Sequence, residues 1–98
     1  MNIATKAAKL IKTLGLHKHL AIKQQLQEDY PDQDWNIIIE AYSRAEDMFR
    51  RASELAFEYR DKKFSEIEAM TKLRNDFPEF KEAILKEAWA AGLFESMW

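Results

Sequence analysis

The chain reads as an all-α protein: a compact bundle of about five helices with a long central helix. Three observations predict this. The 98 residues include only two Gly and two Pro, too few for hairpin turns, long loops or a phosphate-cradling loop. Apolar residues recur at spacings of three and four, the helical period. And one phrase occurs twice, "LQEDYP" at 26–31 and "LRNDFP" at 73–78, each ending in an aromatic-Pro corner that stops a helix.

The first helix is expected over 3–14. Ile3, Ala7, Leu10, Ile11 and Leu14 form its apolar stripe, and Lys6, Lys9 and Lys12 occupy the other face. Gly15 is its stop, since glycine tolerates the left-handed position that follows a helix, and Leu16 would fold back as the accompanying contact. A second helix runs from about His17 to Glu28 and is ended by Pro31.

The third helix should start behind a cap at Asp32 or Asp34 and continue for roughly 27 residues, about 40 Å at the α-helical rise. Within it Ile38, Ala41, Ala45, Met48, Ala52, Leu55 and Tyr59 make a heptad-like seam. Trp35, Tyr42, Phe49 and Ala56 widen that stripe, and Tyr42 and Trp89 are expected in the core. Acid-first pairs at i,i+4, such as Glu40/Arg44 and Asp47/Arg51, mark the solvated face.

Ser65 followed by Glu68 is a capping box that opens a fourth helix, running to about Asp76 with Ile67, Met70, Leu73 and Phe77 inward. A fifth helix starts around Glu79, carries Phe80, Ile84, Leu85, Ala88 and Trp89, and is expected to stop at Gly92. A shift of 47 residues aligns Leu26 with Leu73, Asp29 with Asp76, Tyr30 with Phe77, and Tyr42 with Trp89. The repeated unit is helix, aromatic-Pro corner, helix. Two copies fall short of the three that solenoids need, so the expectation is a single domain over 1–98 with an internal pseudo-repeat.

In their Leu and aromatic-Pro elements the corners resemble ubiquitin-binding CUE modules. Asp29 and Asp76 stand where that pattern has Met, and the third helix has no break where that fold turns, so the family is not assigned.

Catalytic chemistry is not legible. The chain has no Cys, which excludes disulfides and thiolate sites and fits a reducing, cytoplasmic setting. His17 and His19 are two apart on a helix, so their rings do not converge on a metal. No serine has a nucleophile-elbow context. No apolar run approaches the roughly 20 residues of a membrane span, and the N-terminal stretch reads as mature protein rather than a signal peptide. No enzyme, cofactor or metal is expected.

Charge is informative. Residues 1–27 carry five lysines and no acid; residues 28–40 carry five acids and no base. The expected role is a non-enzymatic protein-binding module, an adaptor, inhibitor or regulator acting stoichiometrically, of the kind found among small bacterial and phage regulators. Candidate contact residues are the lysines Lys6, Lys9, Lys12, Lys18 and Lys23, the acids Asp32 and Asp34, and the C-terminal Phe94, Met97 and Trp98. The alternatives are a nucleic-acid-associated protein using the lysine face, or a structural homo-oligomer built on the long seam.

Overall fold

The computed structural model describes residues 2–96. It is all-α, and among the described residues there is no strand. The elements are α1 (Ile3–Leu14), a single 3₁₀ turn (Leu16–Lys18), α2 (His19–Asp29), α3 (Trp35–Arg60), α4 (Glu66–Asp76) and α5 (Glu82–Ser96). Two compact units divide between Glu46 and Asp47, inside α3.

The first unit is α1, α2 and the beginning of α3. The Asn2 side chain accepts a hydrogen bond from the Thr5 N–H at 2.7 Å and caps α1. Ala7, Ala8 and Ile11 are buried, Ile3 and Leu10 are half-buried, and Leu14 is exposed, so the expected stripe narrows toward its C-terminal end. Gly15 ends the helix as expected, at φ 92°, with its N–H donating to Ile11 O. Leu16 does not fold into the core: it is exposed, and with His17 and Lys18 it forms the 3₁₀ turn that delays α2 to His19. Ile22 and Leu26 then turn inward. Asp34 is the residue that caps α3, accepting from the Asn36 N–H at 3.2 Å.

The second unit is the remainder of α3 with α4 and α5. The seam is buried as expected, from Ile38 in the first unit through Ala52 and Leu55 in the second, with Tyr59 half-buried. Of the residues flanking it, Tyr42 and Ala56 are buried, Phe49 is half-buried and Trp35 is exposed. Arg51 bridges Glu54 at 3.1 Å and Asp76 at 3.5 Å. At the end of α3 the Lys63 N–H donates to Glu58 O and the Lys62 N–H to Tyr59 O, a Schellman closure with Lys62 at φ 62°. A non-glycine residue there costs about 1 kcal/mol or more in backbone strain. Lys62→Gly is therefore expected to raise stability by about 0.5–1 kcal/mol, read as a higher urea midpoint with unchanged slope.

The capping box at Ser65–Glu68 is formed in both directions. α4 ends at Asp76 as expected, and Leu73 and Phe77 are buried. Ile67 is not inward: it is 80% exposed, and Met70 is only half-buried. α5 begins at Glu82 rather than near Glu79, because Phe77, Pro78, Glu79 and Phe80 are used by the corner turn. Gly92 does not stop α5, which continues to Ser96. Its lack of a side chain serves packing instead, since a Cβ there would lie 2.8 Å from the Ala52 carbonyl oxygen.

The repeat is structural as well as written. α2 and α4 start and end 47 residues apart, and so do the starts of α3 and α5. In this register α1 corresponds to the second half of α3, and the first half of α3 corresponds to α5. One continuous helix therefore ends the first unit and begins the second. The two corners share their torsions: Tyr30 has φ −130° and ψ 65°, Phe77 has φ −132° and ψ 61°. They also share their bonds, Tyr30 N–H to Leu26 O at 2.9 Å and Phe77 N–H to Leu73 O at 3.0 Å.

The side-chain cap at the corner is not repeated. Lys81 stands where Asp34 caps α3, and a lysine cannot accept from the helix N–H groups. Lys81→Asp is expected to add about 1 kcal/mol of stability by supplying the cap and a charge that suits the helix dipole. Calorimetry showing no gain in transition temperature would refute the equivalence of the two caps.

Candidate interaction surfaces

The lysines of the first unit are not one free face. Lys6 Nζ lies 3.5 Å from Asp29 Oδ2, tying α1 to the end of α2. Lys23 Nζ sits 5.0 Å from the Tyr42 ring centre, and the Tyr42 hydroxyl in turn donates to Leu16 O at 3.1 Å. Both side chains help hold the unit together. Lys9, Lys12 and Lys18 are exposed. Asp32 is exposed, while Asp34 is engaged as the α3 cap. Phe94 is 62% exposed on α5. Met97 and Trp98 lie outside the described residues.

The repeated aspartates are corner tethers. Asp29 accepts from Gln25 Nε2 at 3.1 Å besides pairing with Lys6, and Asp76 pairs with Arg51. Each binds the preceding helix of its own unit, through different residues. Ion pairs this exposed contribute about 0–1 kcal/mol each. Glu40 is exposed and Glu87 half-buried; His17 and His19 are exposed. Among the described residues no group of three or more His, Asp or Glu is arranged to hold a metal ion. None of the described helices is long and apolar enough to cross a membrane.

A surface feature outside the contact residues expected from sequence lies on α4. An open groove of about 470 Å³ lies in the second unit, lined by Glu66, Ile67, Met70, Thr71 and Arg74 of α4 and by Glu82 of α5. Positions 67, 70, 71 and 74 are spaced i, i+3, i+4 and i+7, so they share one face of α4. That same spacing suggested an inward stripe in the sequence. The actual core face of α4 is Ala69 and Leu73, continued by Phe77 at its cap.

One end of the groove is held by a two-point fork. Arg74 Nε donates to Glu82 Oε2 at 3.0 Å and Nη2 to Oε1 at 2.7 Å. The guanidinium holds the Glu82 carboxyl below its ordinary range through these hydrogen bonds, and the carboxylate raises Arg74 in return. A lowered carboxyl value means that the pair's stabilisation is present above the unfolded value, about 4.3, and is lost as pH falls through the folded one. The stability difference between wild type and Glu82→Gln should therefore be present at neutral pH and vanish under more acidic conditions. A difference that persisted at pH values where both carboxyl forms are protonated would contradict the fork as its source.

Comparison with known proteins finds no match to a protein-family model, to a curated protein or to a solved structure.

Proposed function

We propose that the chain is a non-enzymatic protein-binding module, acting stoichiometrically as an adaptor, inhibitor or regulator, and that the α4 groove is its principal contact surface. The observation that carries this reading is Ile67, a large β-branched side chain 80% exposed on a helix whose opposite face is fully packed. Beside it run Met70 and Thr71 along an open groove. Apolar side chains left open on one helix face, here the exposed Ile67 and the half-buried Met70 at i and i+3, are how helices dock a partner. Methionine adapts to irregular partners, and the Arg74–Glu82 fork gives the groove a polar rim.

The seam proposed by the homo-oligomer alternative is occupied: Ile38, Ala45, Met48, Ala52 and Leu55 are at 0% exposure in the folded chain. The nucleic-acid alternative retains Lys9, Lys12 and Lys18 as exposed cations in an acid-free stretch. It predicts binding that falls steeply with salt.

Site-directed photo-crosslinking tests the leading reading. A photoreactive side chain at position 67, in an extract of the source organism, should give a discrete protein adduct of fixed stoichiometry. The same group at Lys9 serves as a solvated reference and should not. Equal, diffuse labelling at both positions would overturn the assignment of the groove.

A further inference from the structure

The 47-residue register pairs Ile67 with Leu20. Each is the second residue of its helix, since α2 starts at His19 and α4 at Glu66. Both side chains are exposed, Ile67 at 80% and Leu20 at 57%. The other side chains of that turn have not kept the same character. Around Leu20 stand His17, Lys18 and His19, all exposed, with no acid from residue 1 to 27. Lys23, one turn further on, is half-buried over the Tyr42 ring, whose hydroxyl also meets Glu46. Around Ile67 stand Glu66 and Glu68 in the first turn of α4. Glu82 across the groove is paired with Arg74 and close enough to Lys86 to feel its charge, so the acidic character rests on Glu66 and Glu68. Among the described residues Arg74 is the cation lining that groove, and it is paired with Glu82. Of the lysines nearby in sequence, Lys72 is turned onto the Phe64 ring, 5.6 Å from its centre, and Lys62 and Lys63 are exposed ahead of the groove.

The chain thus carries two copies of one apolar feature, one with a basic surround and one with an acidic surround. Like surfaces with opposite charge are complementary to each other. We propose that the chain self-associates head to tail: the Leu20 surface of one copy docks in the α4 groove of a second copy, beside Ile67 and Met70. This rests on the protein-binding reading of the groove and names its occupant. The Leu20 side chain supplies the apolar anchor, Leu16 one turn before it extends the contact, and Lys18 meets Glu66. Because different surfaces meet, the contact is heterologous. A contact anchored by so few apolar side chains is expected to be a weak, concentration-dependent one.

Charge and shape play separate roles in this contact. The apolar anchors set its stability, and the charge difference sets its register and excludes like-on-like pairing, in which two basic or two acidic surfaces would face each other. A head-to-tail contact formed on these terms weakens as salt screens the exposed charges.

Sedimentation of the purified full-length chain from micromolar to millimolar concentration tests this. Leu20→Asp and Ile67→Lys each remove one surface; both positions are exposed, so the variants should keep the wild-type circular dichroism and unfolding midpoint. The wild type should show a mass that rises with concentration at low salt and rises less at high salt. Each variant alone should associate about tenfold or more weakly. Mixed in equal amounts, the two variants should associate again, because each retains the surface the other lacks. A wild type that stays monomeric at all concentrations overturns the proposal, as do variants that associate like wild type or a mixture that fails to restore association. If self-association fails while position 67 still crosslinks to a different protein, the binding reading of the groove stands and only its occupant is wrong. If neither occurs, the groove assignment itself has failed.

Discussion

Truncating Leu73 to alanine is expected to destabilise the chain by about 2–5 kcal/mol, and Leu26→Ala should fall in the same range. Both leucines are at 0% exposure, and both precede an aromatic-Pro corner by the same number of residues. Each also offers its backbone carbonyl to the N–H of the corner aromatic, so the side chain and the corner are held by one residue. Removing the side chain leaves a cavity at the point where the chain reverses, with little freedom to collapse. Urea unfolding reads the effect as a lower midpoint at constant slope. A cost below about 1 kcal/mol at either site would mean that its corner is not anchored from the core. The contrast is Ile67→Ala, which removes a similar volume from an exposed position and should change stability by less than about 0.5 kcal/mol.

Gly92→Ala is the second large effect, and the direction is against helix propensity. In an isolated helix the change would be favourable by about 1 kcal/mol. Here the new Cβ would stand 2.8 Å from Ala52 O, 3.0 Å from Ala52 C and 3.1 Å from Ser53 Cα. All three are backbone atoms of α3, so no rotamer change relieves the contact and the two helices must separate. Two contacts of the same helix pair would be disturbed with it: the Ser53 hydroxyl to Glu95 at 2.7 Å, and the edge-on packing of Tyr59 against Trp89 at 5.6 Å. Overpacking of this kind costs about 1–3 kcal/mol, and with backbone atoms on the receiving side the upper part of that range applies, a net loss of up to about 2 kcal/mol. Thermal unfolding of Gly92→Ala at or above the wild-type midpoint would show that α5 can shift freely against α3.

The two glycines show where sequence reading succeeds and where it stops. Both precede a leucine, and both read as helix stops. At Gly15 the reading holds because the chain adopts φ 92°, which favours glycine on local grounds alone. At Gly92 the requirement is absence of volume, imposed by a helix some forty residues away in sequence. Local pattern carries no information about which of these two needs a glycine is meeting.

The same division runs through the candidate surfaces. The seam of α3, the corners and the Ser65–Glu68 box were legible because each depends on periodicity, a proline or a capping pair, all set by neighbours within a few residues. Ile67 was misread because α4 offers two apolar faces with helical spacing, 67–70 and 69–73, and only packing selects one. The lysines form a basic stretch in sequence, but Lys6 and Lys23 are drawn into contacts with Asp29 and Tyr42 that no spacing rule specifies.

By itself the sequence determined the helical class, the near-identical boundaries of α1 and α4, the helix-ending corners and the 47-residue register. These follow from short-range sterics, capping and hydrogen bonding. Tertiary structure alone decided that α5 passes through Gly92, that Ala69 rather than Ile67 enters the core, and that an apolar groove opens along α4. Those outcomes depend on how closely residues distant in sequence approach, and close packing admits only the faces and volumes that fit.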